Sequence, residues 1–366
     1  MLFWLIFCPL TLAALFGVFL VIFFHLPKFG ALPTGARLER ILNSPHYLDG
    51  KFQNIHPLPG EIVDNKNRSF LDFFFRKGRL VPAEPLPTVK SNLKALNDNE
   101  LVWFGHSSFL VKLSGHHFLI DPVFSDHASP LWFLTKAFPG TNVYSPEDLP
   151  KIDYLLISHD HWDHLDYPTV MQLKPSLGKI VCGLGIGAHF ERWGFPAESL
   201  LEGEWGDSFQ PEPGVKITIV YARHFSGRGY KWNQTMWAGF VIESGDKKIF
   251  YSGDGGYESH FLEIGQKFGG FDLAILEDGQ YDQAWRYIHM TPEETVQAGL
   301  DLNAKYIIPA HNSKFSICYH DWDDPLIRVK KASLEHGVNL LTPKIGEVVN
   351  LNEPGDNFGE WWKGLK

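Results

Sequence analysis

The apolar positions along this chain fall into three regimes. From Met1 to Phe24 no side chain is charged. At about 1.5 Å per helical residue the stretch reaches roughly 36 Å, enough for a hydrocarbon core of about 30 Å. The pattern predicts a retained membrane helix, because a cleaved signal would carry a basic start and a shorter apolar run. Pro9 and Gly17 are tolerated in such helices. From His25 to about Asn97, proline and polar residues dominate, with Leu26-Pro27, Leu32-Pro33, Leu58-Pro59-Gly60 and Glu84-Pro85-Leu86-Pro87. Few regular elements are expected there. One exception is Phe70 to Lys77, an aromatic run ending in cations, which reads as a short helix packed on the main body, with a membrane-surface patch as the alternative.

Beyond residue 98 the pattern changes to short apolar runs, rich in β-branched and aromatic residues, separated by turn signals. Strands are predicted at Leu101 to Phe104, Phe109 to Leu113, His117 to Ile120, Tyr154 to Ile157, Lys179 to Cys182, Ile217 to Tyr221, Trp237 to Glu243, Lys248 to Tyr251, Leu273 to Leu276 and Tyr306 to Ile308. Helical stretches fall between some of them. Thr291-Pro292-Glu293-Glu294 opens one to Ala298, with a capping hydroxyl, proline at the first helical position and acids in the first turn. Strands mixed with helices predict a layered α/β body over residues 98–350, preceded by a membrane segment (1–24) and an extension (25–97), and followed by a tail (351–366). Trp361-Trp362 in that tail reads as a core cap, with an interfacial aromatic anchor as the alternative.

Composition narrows the partners. The formal net charge of −9 offers no broad basic surface for a phosphate backbone, so no nucleic acid is expected as a partner. A small molecule or a lipid moves up. Cys182 and Cys318 stand far apart in the body and form no C-x-x-C pair, so no disulfide framework is implied. The first cations, Lys28, Arg37 and Arg40, follow the apolar segment, which orients the body to the cytoplasm, with a periplasmic body as the alternative.

The chemistry concentrates between Ser158 and Asp166, where Ser-His-Asp-His-Trp-Asp-His-Leu-Asp places His159, His161, Asp163 and His164 just after an apolar strand. Two histidines two apart on a tight loop suit one ion, and the Asp-His pair that follows suits a neighbour, so two ions are expected. Imidazole and carboxylate without thiolate suit Zn2+ first, with iron, manganese or cobalt as competitors. A His-rich surface loop is the bland alternative. Three further strands lead into residues of ligand type: Ile217 to Tyr221 into His224, Lys248 to Tyr251 into Asp254, and Tyr306 to Ile308 into His311. If these strand ends share one edge, His159, His161 and His224 hold the first metal, Asp163, His164 and His311 the second, and Asp254 bridges them. Taken singly, His224 or His311 is equally a buried, hydrogen-bonded histidine, and Gly253-Asp254-Gly255 equally a hairpin turn. His106 and Asp121 also follow strands. Asp121 is the candidate acceptor for a ligand's other ring nitrogen, although Asp before Pro is also a common turn.

As a set these residues resemble the metallo-β-lactamase superfamily, whose signature His-x-His-x-Asp-His is matched from His159 to His164. Trp103 to Phe109, Asp121-Pro122-Val123-Phe124, Ala128-Ser129-Pro130, Phe52-Gln53-Asn54 and Arg223 to Arg228 resemble the branch containing N-acyl-phosphatidylethanolamine-hydrolysing phospholipase D and its bacterial relatives. The resemblance spans roughly Phe52 to Val349. It implies an αββα sandwich with the metal centre at one edge between two sheets. It also implies a role for His289, in Tyr287-Ile288-His289-Met290, which matches a family histidine beside the metals that touches substrate or assists proton transfer.

The resemblance implies hydrolysis of a phosphodiester, with a phospholipid or a small phosphodiester as substrate and the membrane as partner. Asp163 and His289 are the catalytic candidates: Asp163 orients the attacking hydroxide as well as binding metal, and His289 donates to the phosphate or the departing oxygen. Two other classes stay in view. One is a lactonase or ester hydrolase on the same fold, in which the metals polarise a carbonyl. The other is a non-catalytic, membrane-tethered protein that keeps its metals for stability. Redox use with iron is disfavoured by His161, since di-iron members of the superfamily commonly carry a glutamate there.

Overall fold

The computed structural model describes residues 2–58, 78–355 and 358–365, with side chains from residue 11 onward. The run expected at Phe70 to Lys77 lies outside the described residues. Helix α1 (Leu2–Phe24) is followed by α2 (Gly35–Leu42) and a two-stranded hairpin of β1 (Tyr47–Leu48) and β2 (Lys51–Phe52). Among the described residues no helix is long and apolar enough to cross a membrane. The transmembrane segment expected at 1–24 is not found among those residues. Residues 11–24 expose apolar surface all round, with Leu12, Phe16, Phe19 and Ile22 each more than half accessible.

The body is built on two mixed sheets. The first contains β3 (Glu100–Trp103), β4 (Phe109–Leu113), β5 (His116–Ile120), β6 (Ile152–Ile157), β7 (Leu177–Gly183) and β8 (Leu200–Gly203). The second contains β9 (Ser208–Glu212), β10 (Val215–Val220), β11 (Gly239–Ser244), β12 (Lys247–Tyr251), β13 (Leu273–Glu277) and β14 (Ile307–Ala310). Strand β15 (Val348–Asn350) returns to the first sheet beside β3, giving the orders β15-β3-β4-β5-β6-β7-β8 and β14-β13-β12-β11-β10-β9. Every run predicted as a strand overlaps one of these. Their inner faces meet in one core that includes Phe109, Phe118, Leu156, Ile217, Phe240 and Ile275.

Two outer layers complete the sandwich. The far face of the first sheet packs against α3 (Tyr167–Leu173) and α4 (Gly187–Arg192), where Leu155, Ile180, Val170 and Phe190 meet. The far face of the second packs against α5 (His260–Phe268), α6 (Pro292–Asp301) and α7 (Asp324–His336), through Phe250, Leu276, Phe261, Val296 and Val329. Strands covered on both sides must be apolar at nearly every position, which is why these runs are continuous rather than alternating. Helix α6 starts as its sequence suggests: a capping box joins Thr291 and Glu294. The extension is tied to the body by Arg37, whose guanidinium bonds Glu202 at 2.7 Å and Glu191 at 2.7 Å. Trp362 is buried against Leu86, Phe138 and Trp322. Cys182 and Cys318 are both buried and not disulfide-bonded.

Candidate metal centre

The ends of β6, β10, β12 and β14 converge on one edge of the sandwich, and the loops after them carry His159, His224, Asp254 and His311. Local backbone is forced there. His106, Asp121 and His311 all adopt positive φ (52°, 40° and 63°), a conformation that costs non-glycine residues about 1–3 kcal/mol and clusters at functional sites. Gly253, at φ 61°, precedes Asp254 where a Cβ would lie 2.5 Å from the Ala238 carbonyl, and a Cβ on Gly279 would lie 2.1 Å from that of His311. The backbone itself bridges the two sheets: His311 N donates to His106 O at 3.0 Å, and His106 N to Asn312 O at 2.9 Å.

The sequence-nominated side chains form two adjoining groups. Ring nitrogens of His159, His161 and His224 lie within 4.8 Å of one another, as do ligand atoms of His106, Asp163, His164 and His311. Asp254 Oδ2 stands between the groups, 3.1 Å from His164 Nε2 and from His311 Nε2, and 3.8 Å from His159 Nε2 and from His224 Nε2. Asp163 Oδ2 is 3.1 Å from His311 Nε2 and 2.9 Å from His106 Nε2. Asp121 accepts from His164 Nδ1 at 2.8 Å and from Ser158 N at 2.8 Å, and Tyr251 OH donates to it at 2.6 Å. His289 stacks on His311 with ring centroids 5.3 Å apart.

Hydrogen bonding fixes which nitrogens are bare. His164 donates from Nδ1 to Asp121, and His224 from Nδ1 to the Ile288 carbonyl at 3.0 Å, so both present an unprotonated Nε2 inward when neutral. His224 Nε2 then meets His161 Nδ1 at 3.3 Å, and His159 Nε2 meets the same atom at 2.8 Å. Lone pairs facing one another, and facing Asp254, repel unless a cation lies between them. His161 Nε2, His164 Nε2 and Asp254 Oδ1 are buried without a hydrogen-bond partner. This nitrogen and oxygen donor set fits divalent transition metals.

The electrostatics carry the same message. Burial pushes His159 and His224 well below the usual histidine range and lowers His161. Burial also opposes charge on His164 and His311, but the Asp254 and Asp163 carboxylates outweigh it, lifting His164 well above the usual range and His311 to about 10. Burial opposes the charge of Asp163 and Asp254 too, and the surrounding histidines hold both well below the ordinary carboxylate value. Protons thus occupy the electrostatic position of a metal ion, and metal binding must displace them.

Three supporting residues were not nominated from the sequence. Glu277, at the end of β13, contacts His289 Nδ1 with Oε1, lies 3.3 Å from His311 Nδ1, and accepts from Gly255 N at 2.6 Å with Oε2. Its signal was the one that marked the others, a polar residue closing an apolar strand. Asn54 brackets His224, donating to its carbonyl at 2.9 Å and accepting from its N–H at 3.1 Å. Lys314 is fully buried and donates to the carbonyls of Val123 (2.8 Å) and Phe104 (3.3 Å), beside Asp121 and His106. Nothing in its sequence context announces that. The donors open into a cavity of about 580 Å³ whose walls are largely apolar, with Phe23, Phe24, Phe29, Trp162, Phe225 and Ile288 among them.

Two mixed sheets with histidine and aspartate donors gathered at a shared edge define a metallo-hydrolase sandwich. Residues 116–312, more than half of the chain, match the model of the beta-lactamase superfamily domain. An uncharacterized protein of Mycobacterium bovis is 34% identical over 332 residues, covering 87% of this chain and 88% of its own. An N-acyl-phosphatidylethanolamine-hydrolyzing phospholipase D of Caenorhabditis elegans is 34% identical over 227 residues, 57% of this chain and 62% of its own. Among solved structures, a metallo hydrolase from Ignicoccus hospitalis superposes with a TM-score of 0.53 at 23% identity, over 68% of this chain and 97% of its own, a likeness of fold. The chain belongs to the metallo-β-lactamase superfamily and is a metal-dependent hydrolase.

Proposed function

We propose that the protein is a zinc-dependent phosphodiesterase of phospholipase D type, acting on N-acyl-phosphatidylethanolamine-like lipids at a membrane that α1 anchors. The observation that carries this reading is the apolar wall of the cavity: Phe23 and Phe24, at the end of the uncharged helix, line the same space as His161, Asp163, Asp254 and His311. A lipid tail has an apolar path to the donors, whereas a small polar substrate makes no use of it. The all-round apolar exposure of residues 12–22 supports insertion of α1, and the cations after it favour a cytoplasmic body.

His159, His161 and His224 would hold one ion, Asp163, His164 and His311 the other, and Asp254 would be shared. Two bound divalent ions supply a water of lowered pKa and neutralise charge on phosphoryl oxygens. The protein's own groups do the rest. Asp163, held by His106, aligns the attacking oxygen. His289, fixed through Nδ1 by Glu277, keeps Nε2 for the phosphate or for proton delivery to the departing oxygen. Apolar walls exclude bulk water from competing. A phospholipid would yield phosphatidic acid and an alcohol.

The test uses the full chain in detergent, metal-loaded or chelated, against N-acyl-phosphatidylethanolamine in mixed micelles, bis(p-nitrophenyl) phosphate, an acyl lactone and a short RNA. Metal-dependent release of phosphatidic acid is expected. Turnover of the lactone alone would replace this reading with a carbon-ester hydrolase. Absence of turnover on every substrate in zinc, manganese and iron would leave a metal-holding tethered protein.

A further inference from the structure

A second cavity, of about 290 Å³, lies beneath the end of α1 and shares Phe24, Phe29, Arg228 and Gly229 with the wall of the metal cavity. Its charge is one-sided. His25, Arg192, Arg228 and Lys231 line it, and the one acid among the described lining residues is Asp160. That carboxylate is already engaged: Oδ1 accepts from Gly227 N at 2.7 Å, and Oδ2 accepts from Thr235 Oγ1 at 3.0 Å and faces His189 Nε2 at 3.2 Å. In a chain of net charge −9 this is a local reversal of sign.

Arg228 is built in rather than left on the surface. Its guanidinium lies 4.0 Å from the Trp162 ring centroid, donates through Nε to the Lys28 carbonyl (2.7 Å) and through Nη1 to the Asp160 carbonyl (3.1 Å), and leaves Nη2 buried without an acceptor. No carboxylate pairs with it directly among the described residues. Arg192 bonds the His25 carbonyl at 2.5 Å, so this cationic group is fixed to the foot of α1. Exposed Tyr230 lines this cavity, a residue type that sits at a membrane interface, and exposed Trp232 lies in the wall of the adjoining metal cavity. Phe24, the last residue of α1, lines the cavity, so the exposed apolar surface of that helix adjoins it.

We propose that this cavity binds the headgroup of an anionic phospholipid, whose tails lie along α1, as an anchoring site separate from the hydrolytic one. The cations meet the phosphodiester, an unpaired Arg228 nitrogen awaits an acceptor, and the adjoining helix offers the tails their solvent. The site fixes how the protein sits on the membrane, and hence how the mouth of the metal cavity faces the bilayer. It rests on the reading of α1 as a membrane anchor and not on the identity of the substrate.

The test is equilibrium binding, by native mass spectrometry of the full zinc-loaded chain in a neutral detergent, of dioctanoyl phosphatidylglycerol, dioctanoyl phosphatidylcholine and inorganic phosphate. Phosphatidylglycerol should bind about tenfold or more tighter than either comparison. The Arg192→Gln/Lys231→Gln double variant should weaken it about thirtyfold, from about 1 kcal/mol per basic side chain facing an anionic lipid. A Lys331→Gln/Lys363→Gln control, which removes the same charge elsewhere, should bind as wild type, and both double variants should hydrolyse a soluble phosphodiester normally. Equal binding of the two lipids, equal loss in the control, or phosphate binding as tightly as phosphatidylglycerol would each overturn the proposal. Lipid binding without phosphodiester turnover would defeat the proposed activity and leave this site standing. Turnover without lipid preference would do the reverse.

Discussion

Glu277→Gln isolates one proton's position in the metal centre. In the native protein Glu277 is an acceptor on every side: Gly255 N donates to Oε2, while Oε1 faces Nδ1 of both His289 and His311. Those contacts favour protons on Nδ1, so that once His311 gives up its second proton to metal its bare nitrogen is Nε2, 3.1 Å from Asp163 and from Asp254. A glutamine of the same shape keeps its oxygen for Gly255 and turns its amide donors toward the two imidazoles. Both Nδ1 atoms must then accept, and the protons move to Nε2, where His311 can no longer ligate. Loss of an outer carboxylate partner typically costs about 10–100-fold in metal affinity, or about 1.4–2.7 kcal/mol. The weakened ion should be the one held by Asp163, His164 and His311, with the His159, His161 and His224 position little changed. Metal content by plasma mass spectrometry, followed by chelator competition, should show one tight and one weakened site. Two ions bound at unchanged affinity would refute the tautomer argument, whatever happened to the rate.

Asp254→Asn removes the carboxylate shared by the two groups, so both affinities should fall by more than the roughly 10–100-fold of an outer partner, checked by the same competition. Lys314 gives a pH signature. Burial lowers its pKa from 10.5 to about 7, so between those values the unfolded chain binds the extra proton and stability rises with pH. The rise is worth up to about 4–5 kcal/mol at about 1.36 kcal/mol per pH unit. Lys314→Met should lack it, seen by comparing denaturant midpoints of the two proteins at pH 7 and pH 9.5; parallel curves would dismiss the assignment. Phe240→Ala empties a fully buried ring between the sheets and should cost about 3–5 kcal/mol in urea unfolding.

Much of this body is readable from its sequence because the strands are covered on both faces. Leu155-Leu156-Ile157 or Leu273 to Leu276 stand out as continuous apolar runs, and a polar residue following such a run is conspicuous. His224, Asp254 and His311 stand out in that way three residues beyond their runs, and Glu277 follows its own run directly. The edges read poorly. Strand β9, Ser208–Glu212, carries a proline and largely accessible side chains, and β15 is three residues long and pairs with a partner some 250 positions earlier. The burial of Lys314 and Arg228 was also invisible, since a basic residue in a loop is a surface residue until tertiary packing encloses it. No local pattern joins Phe24 to the metal cavity, because that contact is made by a folded extension.

The backbone exchange between His106 and His311 has a bearing on how the protein is assembled. The two residues belong to loops of different sheets, and each prospective ion draws donors from both: His159 and His161 with His224, Asp163 and His164 with His311. Neither half of the sandwich carries a complete set. An ion is therefore captured only after the halves have docked, and once captured it holds them together, adding RT ln(1 + [metal]/Kd) to the docked state alone. The halves already share one core without ions, so chelation should leave them docked while making the seam the part of the molecule that loses most protection.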